Sequence, residues 1–473
     1  MNRVQGGHGP TGPVDGRPPE SANAEARDDA RDDARTPLRF QRVGELAASS
    51  AGRPAAPVER VFRKPVVLSA AAGDSIVSAR QALAFAEAGF EVDAFCPRGH
   101  GMARMNYVRS HHVFDAFDPV TSLRLAIEES EPDLVLPGDG RAVACLHALH
   151  AVGAAEQGPA GERLCALIAR SLGEPQHFAD LTSRCRVLEI AHREGVRRPA
   201  AFPVADEDEL RRGLERFGFP AVLAADWSPD GGGRVVVRSP AEARRVFRRL
   251  SGPSGLAGAL ERLLKERDVP YPVALRRRGP GVILQRYTSG RPADAAVACW
   301  RGEVLTELCA EALRTDGPRG PVSVVRTVDY PEMSSAVRRL ARRFELSGLC
   351  GFDFLVDAEG AVWLVGIKPH ATPICHLTAA DGVEPASALR ARLLDRPRPR
   401  RAPTSSGELI ALFPQEMARD PDSAFLHFAR HDIPSRSPAL VGLGMRVVRR
   451  GRLKRWRKQV MRVFSDGPGP TPI

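Results

Sequence analysis

Short apolar runs alternate with helix-like apolar spacing early in the chain. Residues 65–70 and 91–97 predict strands, and the apolar positions at 76–89 are spaced as in a helix. A helix near 120–129 and a strand at 133–138 repeat this order. Strands that alternate with helices indicate a parallel α/β domain.

Two turns of this predicted domain carry polar or flexible residues. Gly73 and Ser75 precede the first helix, a position that suits phosphate binding. The sequence has no Gly-x-Gly-x-x-Gly there, which argues against a dinucleotide site. Asp139 and Arg141 follow a strand end, where open parallel sheets place ligands. The same two residues fit equally well a helix cap and its charge partner.

The centre of the chain predicts a helix followed by a sheet. Residues 181–196 have the apolar spacing of a helix that ends at Gly195. Residues 219–239 predict a strand, a glycine-rich turn and a strand, and residues 281–313 predict three more strands. Backbone N–H groups of a glycine-rich turn can close over phosphates without side-chain obstruction. Taken alone, such a hairpin is more often structural than functional.

A second hairpin, at residues 352–367, carries a carboxylate within an alternating apolar strand. Asp353 lies in the first strand at 352–356, a turn follows at 357–360, the second strand covers 361–367, and an irregular segment begins at Lys368. These residues alone fit either a polar site at the open end of the hairpin or a buried hairpin whose Asp353 faces water.

In this order, the glycine-rich hairpin, the linker after the strand near 285 and the terminal hairpin resemble the ATP-grasp family, over roughly residues 65–445. The resemblance implies an α/β protein of ATP-grasp architecture, with an N-terminal parallel α/β (pre-ATP-grasp) domain and a small C-terminal extension. The predicted division is a disordered arm at 1–62, the pre-ATP-grasp domain at 63–177, the ATP-grasp domain at 178–395, and a linker and C-terminal extension with a basic tail at 396–473.

The resemblance also implies which residues contact a nucleotide and its metal. Arg184 takes the place of a lysine that contacts phosphates, and the linker near Gln285 takes the place of the adenine-reading segment. The implied cofactor-binding residues are Arg184, Ser228, Gly231, Gly232, Gly233, Gln285, Arg286, Tyr287, Thr288 and Lys368. Arg326 is the candidate catalytic residue, and Asp353 is the candidate metal ligand. The implied cofactor is ATP with a weakened Mg²⁺ site.

The weakened metal site follows from departures from the family pattern. Gly366 stands in place of a metal-bridging glutamate and Lys368 in place of an asparagine. Ala224 replaces a phosphate-contacting lysine, Asp230 replaces a glycine, and Arg234 replaces a valine. Since Mg²⁺ needs oxygen ligands, Gly366 offers nothing to it and Lys368 repels it.

Three functional hypotheses follow. The first is a ligase of the family's kind, in which a carboxylate substrate is activated as an acyl phosphate and captured by an amine or a thiol. The second is a catalytically inactive homologue that serves as a regulatory or partner-binding subunit. The third is a protein that binds an anionic surface through its C-terminal tail.

Composition and charge narrow the setting. The chain has 473 residues, 43% hydrophobic and 26% charged, which is typical of a multi-domain globular protein. No secretory signal is recognisable, and the eight cysteines form no Cys-x-x-Cys pair, so we expect a cytoplasmic protein. Much of the net charge of +11 comes from nine basic residues and no acid at 446–462. This segment predicts either a basic anionic-surface binder or a solvated helix docked by Leu453, Trp456 and Val460.

Overall fold

The computed structural model describes residues 63–73, 75–227, 233–251, 281–316 and 320–465, with side chains described as far as Gly451. The predicted disordered arm, an irregular insertion predicted after residue 251 and the side chains of the distal basic tail therefore lie outside the described residues.

The first sheet is parallel and has helices on both faces. Its strands are β1 (Val66–Ala70), β2 (Glu91–Cys96), β3 (Val108–Val113) and β4 (Leu134–Pro137), in the order β3-β2-β1-β4. Its helices are α1 (Ile76–Glu87), α2 (Pro119–Ser130), α3 (Gly140–Ala155) and α4 (Pro159–Leu172). The predicted parallel α/β unit is confirmed. The edge strand β3 was not predicted, because most of its side chains are polar and partly or fully exposed.

Two helices, α5 (Phe178–Leu181) and α6 (Arg184–Arg193), connect the first sheet to a small antiparallel sheet. Two further helices, α7 (Glu207–Phe217) and α8 (Pro240–Ser251), lie between strands of the small sheet. The strands are β5 (Ala201–Val204), β6 (Ala221–Ala225), β7 (Val235–Val237) and β8 (Val282–Arg286), in the order β5-β8-β6-β7. Apolar side chains from α7 and α8 cover one face of this sheet. The helix predicted at 181–196 starts only at Arg184, because the Ser183 hydroxyl accepts a hydrogen bond from the Arg186 N–H and caps it there.

The large sheet is mainly antiparallel and separates two hydrophobic cores. Its strands are β9 (Arg291–Trp300), β10 (Glu303–Thr315), β11 (Val322–Thr327), β12 (Gly348–Val356), β13 (Val362–Lys368), β14 (Leu409–Ala411) and β15 (Arg430–His431). They lie in the order β13-β12-β9-β10-β11-β14-β15. One face packs on α6 and α9 (Pro331–Arg343), and the other packs on α10 (Pro385–Leu393) and side chains of the first sheet.

The C-terminal part docks on the first sheet. It contains α11 (Gln415–Arg419), α12 (Phe425–Phe428) and the long α13 (Pro438–Ser465). Asp432 joins this part to α1 and to the segment after β13, because it forms an ion pair with Arg80 and accepts a contact from His376 Nε2 at 2.9 Å. No helix in the described ranges is long and apolar enough to cross a bilayer.

Candidate functional site

Three neighbouring strands of the large sheet place their residues in one row at the mouth of a cleft. Asp353 of β12 is directly opposite Asp294 of β9 on one side and Gly366 of β13 on the other. Directly opposite residues on antiparallel strands share a face. The hairpin predicted from the sequence is therefore confirmed, and its carboxylate has a second carboxylate beside it that the sequence analysis did not identify.

Lys368 neutralises the middle carboxylate of this row. Its Nζ lies 2.7 Å from Asp353 Oδ1, and both side chains are about one-third exposed, at 34% and 29%. Burial disfavours both charges, yet the pKa of Asp353 is lowered because Lys368 is next to it, and the pKa of Lys368 is raised because Asp353 and Asp294 are close. The lysine thus serves as the counter-ion of Asp353.

Asp294 behaves differently from Asp353 although the two are neighbours. Burial and repulsion from ionised Asp353 raise the pKa of Asp294 to about 7. Asp294 shares a hydrogen bond with Asp353, and in its protonated form it is the donor. The pair therefore carries about one negative charge below pH 7 and approaches two above it. The clue in the sequence was a single acid within the apolar strand β9.

Arg184 is held over this row by the start of α6. Its backbone N–H donates to the Asp226 carbonyl at 2.9 Å, and its Nη1 donates to the Ala225 carbonyl at 2.9 Å. Asp226 in turn accepts from Ser183 Oγ and from the Cys185 N–H, each at 2.8 Å. The end of β6 therefore fixes both the helix start and the guanidinium. Burial lowers the pKa of Arg184, whereas Asp353 and Asp226 oppose that shift.

Arg234 places a further positive charge next to Ala224, which has no charged group of its own. Leu223 pairs with Val235, so Ala224 and Arg234 are next to each other across β6 and β7, on the face that points away from α7 and α8. Arg234 Nη2 lies 3.5 Å from the buried Gln285 Oε1. Burial and repulsion from Arg184 lower the pKa of Arg234 to about 10. An arginine thus lies one strand away from Ala224, the position at which the family resemblance implies a lysine.

The space beside Gly366 is open. A Cβ atom at this position would meet no heavy atom within 4 Å, and the backbone there is not left-handed. Among the described residues, none has moved into the place of this Cβ atom. The glycine therefore leaves the donor set incomplete and is not a packing requirement.

The residues present do not fit a Mg²⁺ site as they stand. Magnesium prefers six oxygen ligands in near-octahedral geometry. Here Gly366 supplies no side-chain oxygen, and the ammonium of Lys368 is hydrogen-bonded to Asp353. Among the residues that the structure describes, no cluster of three or more acids, histidines or cysteines is arranged to hold a metal.

The other predicted nucleotide contacts are divided between the cleft and its surroundings. Gln285 faces Arg234, whereas the exposed Arg286 lies over the Phe217 ring at 5.5 Å on the opposite face. The Arg286 N–H donates to the Ala200 carbonyl, so this backbone donor is used within the sheet. Tyr287 is exposed and Thr288 half-buried, both after the end of β8. Gly233 is left-handed, with φ of 87°, whereas Ser228, Gly231 and Gly232 lie outside the described residues.

Arg326, the predicted catalytic residue, lies in a separate cluster. Arg326 is directly opposite Glu311 on β10, in the row next to that of Asp353. Because side chains of adjacent rows point to opposite faces of a sheet, Arg326 and Asp353 lie on opposite faces, and Arg326 forms an ion pair with Glu311. Glu311 is fully buried and also accepts from Arg291 Nε at 3.1 Å and from Tyr330 Oη at 2.8 Å. The structure does not bring Arg326 together with Lys368 and Arg184.

The polar turns of the first sheet are occupied by their own side chains. Asp139 Oδ2 accepts from the Ala72 and Gly73 N–H groups at 2.8 and 2.9 Å, and its Oδ1 caps α3. Ser75 caps α1 through the Val77 N–H. Asp139 therefore has the helix-cap role, and the Gly73 amide has an internal carboxylate as its partner.

Comparison with known proteins identifies the fold. No protein-family description and no curated protein sequence matches the chain. Among solved structures, the chain is similar to the ADP complex of PurK, an N5-carboxyaminoimidazole ribonucleotide synthetase, with a TM-score of 0.52 and 17% identity over 73% of this chain and 81% of that one. It is similar to the Thermus thermophilus enzyme of the same name, with a TM-score of 0.51, 17% identity and coverage of 73% and 81%.

A third solved structure extends the comparison beyond that enzyme. The chain is similar to Campylobacter jejuni biotin carboxylase in a β,γ-ATP complex, with a TM-score of 0.53, 13% identity and coverage of 74% and 75%. These proteins share the ATP-grasp fold. The chain therefore has this fold, and the predicted α/β ATP-grasp architecture is confirmed.

Proposed function

We propose that this chain is an ATP-grasp-type nucleotide-binding protein, related to ATP-dependent carboxylate–amine or carboxylate–thiol ligases, with reduced or altered catalysis. The observation that carries the proposal is the contact of 2.7 Å between Lys368 Nζ and Asp353 Oδ1. A cation that belongs to the protein stands where the sequence pattern leads us to expect a metal. The cleft around it retains the charges needed to bind an anion.

Three cations support phosphate binding in this cleft. Arg184, Arg234 and Lys368 interact electrostatically with one another or with Asp353, which places their charges around the same carboxylate. Guanidinium and ammonium groups form strong charge-assisted hydrogen bonds with phosphate oxygens. We therefore assign the phosphates of a nucleotide to these three residues and its base to the vicinity of Gln285.

The chemistry that such a site supports is phosphoryl transfer to a carboxylate. That reaction depends mainly on positioning and on neutralising the charge of the transferred group. The three cations supply part of this neutralisation without a metal ion. The cavity that Asp353, Lys368 and Arg184 line encloses about 90 Å³, below the roughly 300 Å³ of small-molecule pockets, so we expect the cleft to open when a whole nucleotide binds.

A second candidate is a catalytically inactive regulatory or partner-binding subunit. The incomplete donor set at Gly366 and the ion pair of Lys368 with Asp353 favour it, because both weaken phosphoryl transfer more than they weaken anion binding. A small-molecule carboxylate or a protein partner, contact of the basic tail with an anionic surface and a cytoplasmic location remain proposals. The eight free cysteines are compatible with a reducing compartment.

Two measurements separate these functions. Thermal stabilisation by ATP reports binding, and ADP formation in the presence of candidate carboxylates reports catalysis. We expect ATP to raise the melting temperature of the native chain, and we expect Arg184→Gln to abolish that increase. Arg238→Gln, an exposed change beyond the end of β7, is the matched control and retains it. A native chain that ATP does not stabilise would contradict nucleotide binding, and rapid ADP formation would contradict reduced catalysis.

A further inference from the structure

A second positively charged cavity lies between the first sheet and α13, away from the nucleotide cleft. Its floor is apolar, formed by Ile76, Leu443 and Val447, and its polar lining consists of Arg104, Arg446 and Arg450. It encloses about 180 Å³ and shares no lining residue with the cleft around Asp353. The site is made jointly by the turn after β2, the first residue of α1 and the proximal part of α13.

The arginines of this cavity have no acidic partner among the described residues. None of its described lining residues is acidic, and none of the three arginines forms an ion pair with another described residue. By contrast, Arg109 of the same domain contacts Glu91 and Asp93, and Arg124 contacts Glu128 and Glu156. Like charges four residues apart on a helix, as at 446 and 450, destabilise it. An anion bound between Arg446 and Arg450 would offset this repulsion.

The cavity is held in shape by close packing of α13. A Cβ atom on Gly101 would lie 2.4 Å from Leu443 Cδ2, so this glycine allows the helix to approach the turn. Leu440 is 1% exposed, and Gly444 packs against the Phe413 ring in the same way. The backbone that carries Arg446 and Arg450 is therefore fixed relative to Arg104, and the three exposed arginines line one cavity.

The size and charge of the cavity define its ligand. At about 30 Å³ for each water in the liquid, it has space for roughly six water-sized groups, which suits a phosphate and the first atoms of its carrier. Arginine forks match phosphate oxygens in pairs. The apolar floor favours a ligand with a carbon chain attached to the phosphate.

We propose that this cavity binds the phosphate group of a soluble phosphate monoester through Arg104, Arg446 and Arg450. The site gives a function to the first residues of the basic tail, Arg446 to Arg450, which lie next to the turn after β2. It is independent of the proposed nucleotide binding, since the two cavities are separate.

The test is calorimetric titration of the full chain with sn-glycerol 3-phosphate and with inorganic phosphate, in chloride buffer of fixed ionic strength. We expect saturable binding that Arg104→Gln/Arg450→Gln weakens at least about tenfold. Arg449→Gln, an exposed change on the same helix outside the cavity, is expected to leave the affinity unchanged. The melting temperature of each variant, and its ATP affinity, are expected to match those of the native chain.

Three outcomes would overturn the proposal. The first is no binding of either ligand to the native chain. The second is an equal loss in Arg449→Gln and in the double variant, which would indicate a general effect of charge. The third is binding only to vesicles that contain phosphatidic acid and not to the soluble monoester. If the native chain binds the phosphate monoester but not ATP, the result counts against the proposed nucleotide binding and not against this cavity.

Discussion

Asp353 and Glu311 lie in adjacent rows of the large sheet, on opposite faces, and each contacts basic side chains. Glu311 is fully buried and its two oxygens have Arg291, Arg326 and Tyr330 as partners. Asp353 has a single lysine, a second carboxylate and the open space at Gly366. A buried carboxylate with all its partners stabilises a fold, whereas a partly matched one at the mouth of a cleft leaves charges for a ligand. The difference distinguishes a structural cluster from a candidate site.

The largest expected effect is on stability and concerns Glu311. In Glu311→Gln, two guanidinium groups lose their counter-charge, so we expect the free energy of unfolding to fall by about 2–4 kcal/mol. The matched change Asp353→Asn affects a pair that is about one-third exposed and is expected to cost within about 1 kcal/mol. Denaturant unfolding monitored by circular dichroism measures both. Equal losses in the two variants would remove the distinction between the clusters.

The second prediction completes the donor set. In Gly366→Glu/Lys368→Asn, the open space accepts the glutamate and the competing ammonium is gone. We expect the magnesium-dependent affinity for ATP to rise at least about tenfold, or roughly 1.4 kcal/mol. Lys368→Asn alone is the control for removal of the charge. If the double variant melts like the native chain and shows no gain, Gly366 is not an eroded metal position.

The third prediction concerns Arg234 as the cation that stands next to Ala224. We expect Arg234→Gln to weaken ATP binding about fivefold, or roughly 1 kcal/mol, because a charge-assisted contact is lost. In the exchange variant Ala224→Lys/Arg234→Val, we expect most of this affinity to return. Calorimetry on these variants and on the control Arg238→Gln decides the matter. No recovery in a folded exchange variant would show that the two positions are not equivalent.

The sequence predicted the framework of the site but not its pairing of charges. Alternation and turn residues placed Asp353 and the two strands of its hairpin correctly to within a few residues, because these patterns are local. Asp294 and Arg234 were missed as partners because their roles depend on strand register, which joins residues distant in the sequence. Arg326 was predicted from its place after a loop, yet the row to which it belongs sends its side chain to the other face.

The fourth prediction is a pH dependence. The folded-state pKa of Asp294 is raised to about 7 from an ordinary value of 3.8. Between these values the folded protein binds more protons than the unfolded one, so the contribution of Asp294 to stability is greatest below about pH 4 and is lost as pH rises to 7. We expect Asp294→Asn to flatten the decline of melting temperature over this range, whereas Asp329→Asn, an exposed change, leaves it unaltered. An unchanged slope in Asp294→Asn would show that Asp294 titrates normally.

The central claim is that cations of the protein replace much of the role of a metal in this cleft. Calorimetric titration of the native chain with ATP, once in excess Mg²⁺ and once in EDTA, tests it most directly. The account predicts binding in both conditions, with affinities within about threefold of each other, a difference under roughly 0.7 kcal/mol. Tight binding in Mg²⁺ and none in EDTA would contradict it.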